Sequence, residues 1–285
     1  MSNKIIISSF ADEYNSDPKI HAAFLEREGV KYIEPRFVGG KNVADLSADE
    51  VKEYKKILDS HGVSASALGS PLGKINLADD FDAHLEKAKK CFEAANILGA
   101  ERIRMFSFYL RDGETRDEAR GEVIDKVGKL CDLAEKYNVV LCHENEAKIY
   151  GETADRCHDL AVSLGGKLKC VFDMGNFVLD GVNPYPYAYE LLREHIAYFH
   201  IKDSLSAGAI VPPGKGEAKI AEILAAHAKY SDKPFFVTLE PHLETFSGLN
   251  KLVGKTFENP YKFNSGEEAF ETALINLKEI ISKIG

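Results

Sequence analysis

The sequence alternates repeatedly between a short apolar segment and a longer segment with the residue spacing of an amphipathic helix. The first such pair begins at Ile5, and the last begins at Phe235. Strict alternation predicts parallel strands with helices packed outside them, because each connection must cross over the sheet. About eight pairs without a break in composition favour a closed barrel over an open sheet. We therefore predict an α/β protein with the (β/α)8 TIM-barrel fold.

The length of the chain agrees with one large barrel. Such barrels typically need about 250 residues, and this chain has 285. We therefore predict a single domain over residues 1–285. The segment 241–265, after strand 8, is much longer than a usual connection of a few residues. It is either a lid or oligomer contact, or an ordered surface loop.

Composition and charge exclude several classes of protein. The net charge is −9 and no basic block stands out, which argues against a nucleic-acid-binding protein. The chain has no apolar run near the roughly 18 residues of a membrane span, and its N-terminus does not resemble a signal peptide. The five cysteines are scattered without a CxxC pair, which is typical of reduced thiols. We therefore predict a cytoplasmic protein.

Four of the predicted strands, all in the second half of the sequence, end on an ionisable residue. The first, which begins at Val139, ends on Glu144, and the next three end on Asp173, His200 and Glu240. In such barrels the carboxyl ends of the strands carry the active site, and these strands are neighbours. Three carboxylates at one point repel each other unless a cation neutralises them. We predict a divalent metal site; the alternative is that the acids only cap helices.

The residue types at this predicted site also suggest its chemistry. Three carboxylates and one imidazole suit Mn²⁺, Mg²⁺ or Co²⁺, and the lack of a thiolate argues against structural Zn²⁺. A metal flanked by two glutamates suits proton transfer beside a carbonyl group. Glu144 and Glu240 are therefore the candidate catalytic residues. Each would bind the metal through one oxygen and keep the other for the proton.

Several polar residues near strand ends are candidates for substrate binding. Lys202 lies two residues beyond His200, so it either neutralises a substrate oxyanion or phosphate or is a surface lysine. His242 stands in the same relation to Glu240.

Three further candidates for substrate binding lie in the first half of the chain, and a candidate anion-binding loop lies in the second half. Glu34 and Arg36 share a face of strand 2, where they either bind substrate hydroxyls or pair with each other. Lys74 follows strand 3 and either reaches an anionic group or belongs to a plain turn. The segment 212–217 is rich in Gly and Pro and opens a predicted helix, so its N–H groups could hold an anion. It lacks the spacing of a P-loop.

These motifs resemble the xylose isomerase-like TIM-barrel superfamily, the sugar phosphate isomerase and epimerase group. The resemblance covers the whole chain, and its carriers are Glu144-Asn145, Phe172–Asn176, Phe199–Asp203, Gly214–Glu217 and Leu239–His242, with Ser70–Lys74 and Arg104–Tyr109.

The resemblance implies that the metal ligands are Glu144, Asp173, His200 and Glu240. It also implies that Mn²⁺ is the working metal, with Mg²⁺, Co²⁺ and Zn²⁺ as alternatives. The expected partner is a small sugar or sugar phosphate, and a homo-oligomer is left open.

Two positions depart from the ketose 3-epimerases of this superfamily. Those enzymes have a His where this chain has Asn176 and an Arg where it has Ser206. The run His200–Asp203 looks more like inosose dehydratase. We expect a metal-dependent isomerase or epimerase that acts through an enediolate, with Asn176 among the substrate-binding candidates. The alternatives are a dehydratase or lyase acting on a keto-sugar or keto-inositol, and a non-catalytic sugar-binding subunit.

Overall fold

The predicted strands form a ring in which parallel neighbours follow one another in chain order. The structure is a computed structural model that describes residues 2–243 and 260–284. Residues 244–259, most of the long segment predicted after strand 8, lie outside the described residues. The barrel strands are β1 (Ile5–Ser9), β2 (Tyr32–Ile33), β3 (Ser64–Ala65 and Leu68–Gly69), β4 (Arg102–Met105), β5 (Val140–Glu144), β6 (Lys169–Asp173), β7 (Ile196–Ile201) and β8 (Phe235–Leu239).

The ring closes through the short strand β2. Seven strands share one parallel sheet, in which β1 pairs with β8 and β3 pairs with β4. Strand β2 fills the gap because Tyr32 and Ile33 pair with the first half of β3. The N–H of Glu34, just after β2, donates to the carbonyl oxygen of Ser9 at the end of β1 (2.9 Å). The chain thus has the predicted TIM-barrel fold.

The helices pack around this ring and bury apolar side chains against it. Among the helices that the structure describes, none is long and apolar enough to cross a membrane. The helices are α1 (Pro18–Arg27), α2 (Ala48–Ser60), α3 (Phe81–Leu98), α4 (Arg116–Lys136), α5 (Ala154–Ser163), α6 (Met174–Leu179), α7 (Tyr189–Leu192), α8 (Ile220–Tyr230) and α9 (Gly266–Ser282).

Local backbone chemistry explains where the predicted elements and the structure differ. Strand 2 is predicted to reach Phe37 but ends at Ile33, because Pro35 has no N–H for the ladder. The predicted helix over 186–195 is replaced by one irregular turn over Pro184–Ala188, followed by the short helix α7. The short helix α6 is not predicted; the side chain of Asp173 caps it by accepting from the N–H of Asn176.

The loop at 212–217 binds an anionic group, but that group is a side chain of the protein itself. The carboxylate of Asp203, just after β7, accepts hydrogen bonds from the N–H groups of Ser204, Gly214, Gly216 and Ala218 (2.8–3.1 Å). A Cβ added at Gly216 would collide with this carboxylate at 2.2 Å, so the loop requires glycine there. Helix α8 begins only at Ile220 rather than at the predicted Gly216. Asp203 therefore occupies the N–H groups that were candidates for binding an external phosphate.

We predict that Asp203→Asn destabilises the protein by about 2–4 kcal/mol. The amide would turn an NH₂ group toward two of the four N–H donors, and charge-assisted hydrogen bonds would be lost. Urea unfolding followed by circular dichroism measures the change. Asp232→Asn, at an exposed position, is the control and should change stability by less than about 0.5 kcal/mol. Equal effects of the two substitutions would contradict this role of Asp203.

Candidate metal centre

The four ionisable residues at the predicted strand ends meet at one point. Glu144 and Asp173 end β5 and β6, His200 lies in β7, and Glu240 follows β8. Each is no more than 2% exposed. One ligand atom from each residue lies within 4.8 Å of those of the others. The strand ends therefore bring together the four residues that the sequence predicted to lie close together.

The donor set fits a divalent cation. It offers three carboxylate oxygens and one ring nitrogen, a mixture that binds Mn²⁺, Mg²⁺ or catalytic Zn²⁺. Ligand bonds of about 2.0–2.2 Å place donors on opposite sides of an ion a little over 4 Å apart. The observed spacing allows a single ion to contact all four residues after small movements. The atom of His200 that faces this point is Nδ1, 2.9 Å from Glu144 Oε1 and 3.2 Å from Glu240 Oε2.

Without a cation, protons and cationic side chains neutralise these acids. Burial alone would lower the pKa of His200, but the carboxylates of Glu144 and Glu34 outweigh it and raise that pKa well above its usual value. Burial raises the pKa of Asp173 to about 7. Burial opposes ionisation of Glu144 as well, but the imidazolium of His200 and the guanidinium of Arg104 together outweigh it and lower the pKa of Glu144 to about 2. An incoming metal ion would therefore have to displace protons from the site.

The second oxygens of the two candidate catalytic glutamates are also paired. Glu144 Oε2 lies 3.2 Å from Arg104 Nη1, and Glu240 Oε1 accepts from Arg36 Nη1 (2.9 Å). Arg104 packs over the rings of Phe10 and Phe106, and its buried Nε has no hydrogen-bond partner. The arginines orient both carboxylates. A role in proton transfer therefore requires the substrate to replace an arginine contact.

Lys202 and Asn176 lie beside the four residues, as part of one network. The ammonium of Lys202 is buried and contacts Asp173 Oδ2 (3.0 Å), Glu240 Oε2 (3.3 Å) and Asn176 Oδ1 (3.1 Å). The amide of Asn176 also donates to the backbone oxygen of Asn145 (2.9 Å). Lys202 is therefore not the surface lysine of the alternative interpretation.

Arg36 and His242 contact the cluster at Glu240. His242 Nε2 is 3.4 Å from Glu240 Oε1 and 3.2 Å from Glu13 Oε1. The backbone N–H of His242 donates to Glu13 Oε2 (2.7 Å). Arg36 also pairs with Asp12 (2.8 Å) and Glu13 (3.0 Å). Burial raises the pKa of Glu13 to about 7. These contacts hold Arg36 and His242 at the edge of the candidate site.

The other two candidates lie apart from this edge. Glu34 is fully buried on the far side of the His200 ring, and its partners are Tyr198, Thr238 and His200, so it does not pair with Arg36. The ammonium of Lys74 forms an ion pair with Glu146 (2.9 Å) and lies 4.2 Å from the centre of the Phe106 ring. The backbone N–H of Lys74 also closes a turn by donating to the carbonyl oxygen of Pro71 (3.0 Å), so Lys74 lies in a turn and its ammonium reaches an anionic side chain of the protein.

Sequence reasoning missed two residues of this site. Glu13 follows β1 in a short turn, so the rule that strand ends carry active-site residues could have found it. Arg104 lies within β4. Arg104 stands between Ile103 and Met105, which are apolar and buried, and an arginine in that position is a signal of a paired buried charge.

Comparisons with known proteins agree with the fold. The model of the family described as "Xylose isomerase-like TIM barrel" matches residues 22–250. No curated protein sequence matches the chain.

Three solved structures illustrate the similarity, and each covers at least 95% of both chains. The IolI protein with a bound zinc atom has a TM-score of 0.74 and 20% identity over 99% of both chains. The probable 3-DHS dehydratase AsbF of Bacillus anthracis has a TM-score of 0.69 and 18% identity, over 95% of this chain and 97% of that one. A D-psicose 3-epimerase crystallised with D-fructose has a TM-score of 0.71 and 14% identity, over 96% and 97%.

The family match covers most of the chain, and the barrel is the same. The chain therefore belongs to the xylose isomerase-like TIM-barrel family.

Proposed function

We propose that this protein is a divalent-metal-dependent isomerase or epimerase of a small sugar or sugar phosphate. The observation that carries the proposal is the buried convergence of Glu144, Asp173, His200 and Glu240 at the carboxyl ends of neighbouring strands. Zinc in IolI, and the sugar in the psicose epimerase, support a metal and a sugar ligand here. Mn²⁺ is our first candidate because three of the four donors are carboxylates.

The reaction that fits these residues is proton transfer at the carbon beside a carbonyl. A bound divalent cation would act as a Lewis acid on the oxygens of the substrate. Glu144 and Glu240 are the candidate acid and base: one removes the proton from carbon and keeps it, and the other, protonated beforehand, donates its own proton to the resulting enediolate. Their partners Arg104 and Arg36 hold the carboxylates until the substrate arrives.

The residues around the metal candidates have supporting roles in this proposal. Lys202, held by Asp173 and Glu240, would stabilise negative charge on a substrate oxygen. Arg36 and His242 would contact substrate hydroxyls from the Glu240 side. Asn176 would position Lys202, because its amide oxygen accepts a hydrogen bond from that ammonium group.

A dehydratase is the second candidate for the same site. The similarity of the fold to a probable dehydratase and the His200–Asp203 motif favour it. Elimination and epimerisation share the first proton abstraction, so one experiment can test both and separate them by product.

We predict Mn²⁺-dependent exchange of a substrate C–H for deuterium in D₂O. Proton NMR would follow a panel of ketoses, keto-inositols and sugar phosphates. Glu240→Gln should slow exchange by at least about 100-fold, because it removes an acid–base group. Glu152→Gln is the matched control, since Glu152 pairs with Arg116 away from the cluster, and its rate should match the wild type.

The product of the exchanging substrate identifies the reaction, as an epimer, an isomer or a dehydrated compound. Exchange that persists in Glu240→Gln would contradict the assigned role of Glu240. Exchange without any divalent metal would contradict the metal-dependent mechanism.

We also predict that metal affinity rises with pH. Below about pH 7 Asp173 is protonated in the metal-free protein, and His200 carries a proton at higher pH as well. Metal and protons compete for these atoms, so affinity should increase by about tenfold per pH unit for each proton released. Calorimetric titration with Zn²⁺ from pH 6 to 7.5, in two buffers of different ionisation enthalpy, measures both affinity and proton release. An affinity that does not change over this range would contradict the prediction.

A further inference from the structure

Both ring nitrogens of His200 contact buried carboxylates. Its Nδ1 faces Glu144 and Glu240, whereas its Nε2 lies 3.2 Å from Oε2 of Glu34. Glu34 is 0% exposed and follows β2. The ring edge also packs against Phe10, with ring centres 5.0 Å apart. His200 therefore has one nitrogen for the proposed metal and the other for a buried carboxylate.

The carboxylate of Glu34 is itself fixed by two hydroxyl groups. Tyr198 donates to Oε1 (2.9 Å), and Thr238 donates to Oε2 (2.9 Å). Tyr198 precedes His200 by two residues, and Thr238 precedes Glu240 by two, so these pairs project from the same face of their strands. The three polar residues thus form a layer directly below the proposed ligands. Both hydroxyls use their protons on Glu34, which leaves the carboxylate an acceptor toward His200.

This arrangement determines which ring nitrogen is free to bind a metal. A neutral imidazole has one N–H donor and one lone pair. With Nε2–H donating to Glu34, the lone pair is on Nδ1, the atom that faces the three carboxylates. A carboxylate behind a metal-binding histidine also raises the basicity of the ligand nitrogen.

We propose that Glu34 is a positioning residue that fixes the orientation and tautomer of His200 for metal binding, rather than a contact to the substrate. The proposal rests on the proposed metal site and adds a residue to it. Tyr198 and Thr238 keep the Glu34 carboxylate in place.

Zinc titration of Glu34→Gln tests the proposal. The carboxamide keeps the volume and removes the charge, so zinc affinity should fall by about 10- to 100-fold. Isothermal titration calorimetry at pH 7.5 measures it on the metal-stripped protein. Glu152→Gln alters an ion pair with Arg116 in which neither His200 nor its partners take part, so it should leave the affinity within about twofold of the wild type.

A second readout separates positioning from general damage to the fold. In ¹⁵N-histidine-labelled, zinc-loaded protein, His200 should show a protonated Nε2 and a metal-bound Nδ1. Glu34→Gln should shift or broaden the Nε2–H resonance, whereas a purely structural defect would lower the melting temperature without moving it selectively. If Glu34→Gln does not fold, Tyr198→Phe retains the carboxylate and removes one of its donors; a fall in affinity of several-fold is then expected.

The outcomes distinguish this inference from the proposed function. Unchanged affinity and an unchanged Nε2–H resonance in Glu34→Gln, with a wild type that binds zinc, would overturn the role of Glu34 alone. A wild type that binds no divalent metal would overturn both the metal site and the proposed function.

Discussion

Excess buried negative charge is the constraint on which this site depends. Four carboxylates around His200 are buried, those of Glu34, Glu144, Asp173 and Glu240, and the buried permanent cations beside them are Arg104 and Lys202. Arg36 at the edge also pairs with Glu240, but it is shared with Asp12 and Glu13 and so adds no net positive charge. Two negative charges remain, and isolated charges cannot persist in a buried environment. Protons on His200 and Asp173 can neutralise them, and so can one divalent cation. In the proposed metal site, a bound divalent cation would therefore replace these protons.

The barrel supplies the geometry for this exchange in layers. Side chains two residues apart on one strand lie one above the other, so the lower layer of Glu34, Tyr198 and Thr238 lies under His200 and Glu240. The upper layer holds the proposed ligands. Arg36 and Arg104 orient the carboxylates through their outer oxygens, Glu240 Oε1 and Glu144 Oε2. Lys202 contacts Glu240 Oε2, the oxygen that also faces His200. Rigid strands thus support the chemistry, and the loops complete it.

The sequence predicts the barrel and the meeting of four strand-end residues at one point, because periodicity and strand ends are local signals. Contacts between distant strands were harder to predict. Nothing near Glu34 in the chain reveals that its partner is His200. Of the two alternatives for Glu34 and Arg36, the mutual pair does not form, because Arg36 pairs with Asp12 and Glu13 on another strand connection. The loop at 212–217 has the glycines of an anion-binding loop, but its N–H groups bind the carboxylate of Asp203. The sequence of the loop does not reveal this contact, because Asp203 comes from the preceding strand end.

The most direct measurement is anomalous diffraction from crystals of the metal-stripped protein soaked with Mn²⁺. The account predicts one strong peak among Glu144, Asp173, His200 and Glu240, about 2.0–2.3 Å from His200 Nδ1. Nε2 should remain on Glu34. No peak at this position, or a peak bound through Nε2, would contradict the central claim that the buried acids and the imidazole form a divalent metal site.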